Sequence, residues 1–190
     1  MNTLLNILIP LNGLILGVWI MRLAVLSFAS RVLKPLRAEM AAGVGGDLPS
    51  VSFIVAAKDE AANIESCLKS LAALEYPKLQ IIAVNDRSGD ETGAIMDRLS
   101  AERDRLEVHH VTHLRSGWFG KNNAMREGVE RAEGEWLCFT DADCIQTCKH
   151  SLAIAMQYAK DRNADFLSVL PSHERILSGS VRCSRPAVRS

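Results

Sequence analysis

Glu135-Trp136-Leu137-Cys138-Phe139-Thr140-Asp141-Ala142-Asp143 is the stretch on which the fold turns. An apolar run preceded by Gly134 ends abruptly in two carboxylates, Asp141 and Asp143. The run is short, rich in large apolar residues and bounded by glycine, the pattern of a buried strand. Two acids at such a strand's end repel each other and lose hydration, which is costly unless a cation or hydrogen-bond donors lie between them. A hard divalent ion bridging to a diphosphate meets that need, because Mg²⁺ favours one or two protein carboxylates plus phosphate oxygens. For an Asp-x-Asp taken alone, a turn in which Asp141 caps Asp143 or a following helix is the simpler account.

On the N-terminal side of this strand, apolar runs alternate with amphipathic segments. Val51–Ala57 and Leu79–Asn85 read as continuous apolar strands, and Leu106–Val111 as a weaker third. Asp59 is expected to open a helix with Ile64, Cys67, Leu68, Leu71 and Leu74 on one stripe. Asp90 is expected to cap a second helix carrying Ile95, Met96 and Leu99. Beyond the glycine-bearing loop Ser116–Gly120, a third helix places Ala124, Met125, Gly128 and Val129 inward. C-terminal to Asp143, a helix over about His150–Lys160 and a strand over Asp165–Leu170 complete the readable part. Apolar strands separated by amphipathic helices predict an α/β fold, an open and mostly parallel sheet covered on both faces.

Ligands bind such sheets at the carboxyl ends of the strands. Lys58-Asp59-Glu60, Asp86-Arg87-Ser88 and Asp141-Ala142-Asp143 all fall at such ends, so three polar clusters converge on one rim. Asp86 can accept from an imide N–H or ribose hydroxyls, or satisfy its own loop as an Asx-turn. Lys121 stands at a helix start, where the dipole disfavours a cation, so a nearby anion would explain it. Trp118 can stack on a base or pack on its own domain. His109 and His110 point to opposite faces of a strand and make a poor metal pair. Cys144, Cys148 and His150 lie close together but lack C-x-x-C spacing. The sequence holds no Ser-His-Asp constellation, P-loop or Rossmann glycine fingerprint.

Thr3 to Met21 are almost wholly apolar and long enough to span a bilayer, and the apolar character resumes after Arg22. Arg31, Lys34 and Arg37 follow this segment, and no basic residue precedes it, which places the C-terminal bulk in the cytoplasm. A cleaved signal peptide fits less well, because it calls for a basic n-region and a shorter apolar core. The expected organisation is an anchor over 1–33, a glycine-bearing linker over 34–50, a folded domain over 51–171 and an irregular tail over 172–190. The formal net charge of zero over 190 residues gives no field directed at nucleic acid. Five scattered cysteines fit reduced thiols, with Cys67 and Cys138 on apolar faces.

Four tracts in order resemble the family 2 glycosyltransferases of the GT-A fold. They are Val51–Ile64, Val84–Thr92, Gly117–Ala124 and Gly134–Asp143. The tract Gly117–Asp143 is similar to the membrane-anchored subgroup that glycosylates lipids such as hopanoids and carotenoids. The resemblance implies a nucleotide-diphosphate-sugar donor, usually UDP-linked, a lipid acceptor, and Mg²⁺ or Mn²⁺. It implies that Ala57 and Glu60 line the nucleoside pocket, that Asp86 holds the base and that Lys121 lies near the nucleotide. Asp141 would contact the ribose or metal side, and Asp143 would ligate the metal at the diphosphate. Asp59 replaces the asparagine usual before Glu60. The family's general base lies well downstream of the Asp-x-Asp, so the resemblance puts the base outside this chain and suggests a truncated product. Two other readings remain: a membrane-tethered nucleotide-sugar-binding module without transfer activity, and a nucleotidyltransferase, although the glycine-rich loop of the latter is not seen.

Overall fold

The computed structural model describes residues 2–32 and 38–169. It divides into two units, Met1–Leu36 and Arg37–Ser190. The first is one helix, α1 (Asn2–Val32). Within it Leu8–Phe28 has a mean hydropathy of 1.8 and is long and apolar enough to cross a membrane. Its one described polar amide is satisfied locally, since Asn12 Nδ2 donates to the Leu8 carbonyl at 2.8 Å. That bond lowers the cost of carrying an amide in hydrocarbon.

The second unit is built on four parallel strands, β1 (Val51–Ala57), β2 (Leu79–Asp86), β3 (Leu106–Val111) and β4 (Trp136–Asp141), in the order β3-β2-β1-β4. Their connections carry α2 (Ile64–Ala72), α3 (Thr92–Ala101) and α4 (Gly120–Val129), and α5 (Ser151–Lys160) follows β4. Strand alternation sorts the core into two faces. Val51, Phe53, Val55 and Ala57 of β1 pack with Ile64, Leu68, Leu71, Met96, Leu99, Leu152 and Met156 from α2, α3 and α5. Ile54, Ile82, Val84 and Val111 face the other way, against Ala124 of α4. Gly128 permits that close approach: a β-carbon there would lie 2.5 Å from Ile54 Cγ2.

Several elements differ from the sequence reading. α2 begins at Ile64, and Asp59 does not open it; Asp59 adopts φ +55° and its Oδ1 accepts from the Gly89 amide at 2.7 Å. α4 turns Asn123, Ala124 and Gly128 inward while Val129 is exposed, because the rotation of the helix is set by Gly128 on the sheet. β4 is half-buried on one face and bare on the other: Leu137 and Phe139, on the side of Ile54, remain exposed because α4 covers β1 and β2 instead. Residues 165–169 form no strand. The chain closes on itself first, with Asn163 at φ +47° and the Ala164 amide bonded to the Ala159 carbonyl, and Phe166 is left 83% exposed. The expected linker is partly ordered, with a 3₁₀ helix at Ala38–Gly43, Leu48 buried, and the Asp47 carbonyl bonded to Lys160 of α5. Leu170, the tail over 172–190 and Cys183 lie outside the described residues.

Candidate functional site

The connections run outward from β1 through β2 to β3, and the chain then returns to place β4 on the other side of β1. This reversal opens a crevice at the carboxyl ends of β1 and β4, the usual ligand position in an open α/β sheet. A cavity of about 500 Å³ lies there, and Ala57, Glu60, Asp86, Lys121, Asp141 and Asp143 all line it. The structure thus brings these six residues together, while Asp59, Ser88 and Trp118 do not line the cavity.

Each wall has a local cause. Asp86 ends β2 and is buried, and Arg87 Nε donates to its Oδ1 at 2.9 Å. The Asx-type turn of this loop belongs to Asn85 instead, whose Oδ1 accepts from the Ser88 amide. Asn85 Nδ2 also meets His110 Nδ1, and His110 Nε2 lies 2.9 Å from Asp97 Oδ1. His109 points to the opposite side, 3.4 Å from Glu127 of α4, as strand alternation requires. The loop after β1 is bound to the loop after β2: Ser88 Oγ accepts from the Asp59 amide, Thr92 Oγ1 from Glu60, and Asp90 Oδ2 from Ala61. Asp90 Oδ1 takes both the amide and the hydroxyl of Thr92 and so serves the first turn of α3; these bonds, led by the hydroxyl, hold its carboxyl below the ordinary range. Asp59 and Arg87 both have φ +55°, so the two loops bordering the cavity carry backbone strain of a kind concentrated at functional sites.

α4 delivers its N-terminal turn to the same rim. Gly120 lies so close to Asp86 that a β-carbon would stand 2.6 Å from Oδ2. The anion expected beside Lys121 is Asp141, whose Oδ1 accepts from the ammonium at 2.5 Å. Trp118 packs on its own domain, with the Arg126 guanidinium 5.0 Å above its ring. Burial pushes the thiols of Cys67 and Cys138 up to about 12 and about 11, as fits core cysteines.

The donor set suits a hard cation that arrives with its own oxygens. Among the described residues no three metal-ligating side chains gather. Asp141 and Asp143 supply two carboxylates at the cavity wall. Mg²⁺ and similar ions are commonly held that way, completing their shell with water and substrate phosphate. Sequence reasoning placed Arg87 on the rim without a role and read Gly120 as part of a loop close to phosphate. It missed that Arg87 holds Asp86 and that Gly120 packs against that carboxylate, contacts between residues that no local pattern joins. Asn123 is fully buried with its amide unpartnered, which no helical periodicity foretells.

A family model for glycosyl transferase family 2 matches residues 52–179. The chain belongs to that family. Among curated family relatives, it is 36% identical over 99 residues to a probable glycosyltransferase, YdaM, of Bacillus subtilis, covering 51% of this chain and 23% of that protein. It is 36% identical over 102 residues to the beta-monoglucosyldiacylglycerol synthase of Nostoc, covering 53% and 21%. The poly-beta-1,6-N-acetyl-D-glucosamine synthase of Staphylococcus epidermidis is 33% identical over 99 residues, covering 50% and 22%. The matched region is therefore less than a quarter of each relative's length. Among solved structures, the mannosyltransferase PcManGT of Pyrobaculum calidifontis, in complex with GDP-Man and Mn²⁺, superposes with a TM-score of 0.53 at 27% identity, over 64% of this chain and 37% of that one. TarS 1–349 of S. aureus in complex with UDP-GlcNAc gives 0.51 at 25% identity, over 60% and 32%. The sheet with its flanking helices is thus the GT-A arrangement.

Proposed function

We propose that this family 2 chain is the donor-binding part of a membrane-anchored glycosyltransferase. It would move a sugar from a nucleotide-diphosphate-sugar, UDP-linked, to a lipid acceptor with the help of Mg²⁺ or Mn²⁺. One observation carries the reading: Asp86, Lys121, Asp141 and Asp143, from two strand ends and one helix start, share a single cavity at the reversal of strand order. Asp86, held by Arg87, would accept from the base, and Ala57 and Glu60, which line the same cavity, would border the nucleoside. Asp141 and Asp143 would hold the cation at the diphosphate. When bound, such an ion stabilises the departing nucleoside diphosphate as negative charge develops on it. The neighbours bound to GDP-Man and UDP-GlcNAc support a nucleotide-sugar donor, and the Mn²⁺ in the first supports a divalent cation. The diacylglycerol synthase among the relatives supports a lipid acceptor, and Leu8–Phe28 followed by Arg31, Lys34 and Arg37 supports an anchor with the domain on the cytoplasmic side.

The test is calorimetry on the full chain in detergent. UDP should bind in the presence of Mn²⁺ and not in excess EDTA, and Asp143→Ala should weaken it by about tenfold or more. Binding that ignores both EDTA and Asp143→Ala would overturn the assignment. A second reading, a nucleotide-sugar-binding module without transfer, draws on the acids at the cavity all being assigned to the donor. Release of UDP from a UDP-sugar by the purified chain would exclude it.

A further inference from the structure

We propose that Lys121 is an exchangeable counter-ion, bound to Asp141 when that carboxylate holds no metal and to the donor's diphosphate when it does. This rests on the donor-site reading above and adds a positioning residue to it. Lys121 Nζ donates to Asp141 Oδ1 at 2.5 Å, so the ammonium occupies the carboxylate assigned to the cation. Two positive centres on one carboxylate repel, and the divalent one has the stronger claim. The exchange costs little, because the two side chains are 59% and 58% exposed and such ion pairs contribute weakly. Lys121 is the second residue of the ten-residue α4, whose first turn also reaches the cavity through Gly120. An ammonium released there stays beside the unpaired amides of a helix N-terminus, where a phosphate is favoured. Its flexible stem lets one point charge serve two partners in turn. The same lysine thus opposes the cation alone and favours the cation together with the nucleotide.

Lys121→Gln separates this role from a merely structural one, since it moves two affinities in opposite directions. With the full chain in detergent, binding of Mn²⁺ alone, read by electron paramagnetic resonance of the free ion, should tighten by about 2- to 5-fold. Binding of UDP in saturating Mn²⁺, read by calorimetry, should weaken by about tenfold. Lys121→Arg should restore UDP binding while weakening Mn²⁺ alone below wild type, because a guanidinium grips a carboxylate with two bonds. Both affinities unchanged in Lys121→Gln, or both shifted the same way, would overturn the proposal while leaving the donor site intact. A wild-type chain that binds neither Mn²⁺ nor UDP would overturn the donor-site reading itself, and this inference with it.

Discussion

Gly120 and Asp86 approach so closely that one added methyl group would stand 2.6 Å from a buried carboxylate oxygen. The same β-carbon would lie 3.2 Å from Arg87 Nη2, so the obstructed group is an ion pair held from both sides. Gly120→Ala must therefore move either Asp86 or the start of α4. UDP affinity should fall about tenfold or more, at a strain cost of about 1–3 kcal/mol. Gly43→Ala, where a β-carbon meets nothing within 4 Å, is the control and should bind as wild type. Unaltered UDP binding by Gly120→Ala in calorimetry would show that Asp86 does not need its present position.

Gly134 controls how β4 enters the sheet. A β-carbon there would lie 2.4 Å from the Ser52 amide nitrogen and 2.7 Å from the Val51 carbonyl carbon, both of β1 backbone. The Gly134 amide also donates to Ser52 Oγ at 2.8 Å. Backbone cannot step aside as a side chain can, so Gly134→Ala should destabilise the domain by about 2–3 kcal/mol. Chemical denaturation would register this as a lower midpoint with an unchanged slope.

His109 confers a pH dependence on stability. Burial pushes its imidazole below the ordinary 6.5, the Arg131 charge adds to this, and Glu127 opposes it. The unfolded chain then takes up a proton that the folded chain resists. This site leaves stability unaffected above about pH 6.5 and lowers it as the pH falls from there toward the depressed folded value. Melting temperatures at about pH 7.5 and 5.5 should show a smaller acid loss for His109→Gln than for wild type. Equal losses would remove His109 from the account.

The four cysteines among the described residues should label in two classes. Cys67 and Cys138, with thiols pushed up to about 12 and about 11 by burial, should resist maleimide at about pH 8 in the native state. Cys144 and Cys148 are part-exposed and should react first. Peptide mapping by mass spectrometry would check the order, and prompt native labelling of Cys67 would contradict the α2–sheet packing described above.

The sequence made the βα units legible because their signals are local. Val51–Ala57 and Leu79–Asp86 are predominantly apolar, as strands covered on both faces must be, and the stripe Ile64, Cys67, Leu68 and Leu71 has helical spacing. Carboxylates at strand ends then marked one rim in advance. Other features had no local signal. The Asp59–Gly89 and Glu60–Thr92 bonds join loops about thirty residues apart, and Asp59 therefore left the helix it was expected to open. The apolar segment at 165–169 satisfied the strand pattern yet found no pairing partner, and pattern without a ladder leaves the backbone unpaired.

By itself, then, the sequence determined the four strands, the helices that follow them and the acids that end β2 and β4, since side-chain period is a property of neighbouring residues. Only the tertiary structure decided that β4 pairs with β1 through Val51–Trp136 to Ala56–Asp141, that Arg87 holds Asp86, and that Lys121 reaches Asp141. Those contacts depend on strand order and on how closely α4 can approach the sheet. Both are set by packing among residues distant in the chain, where Gly120, Gly128 and Gly134 leave room that no larger side chain would allow.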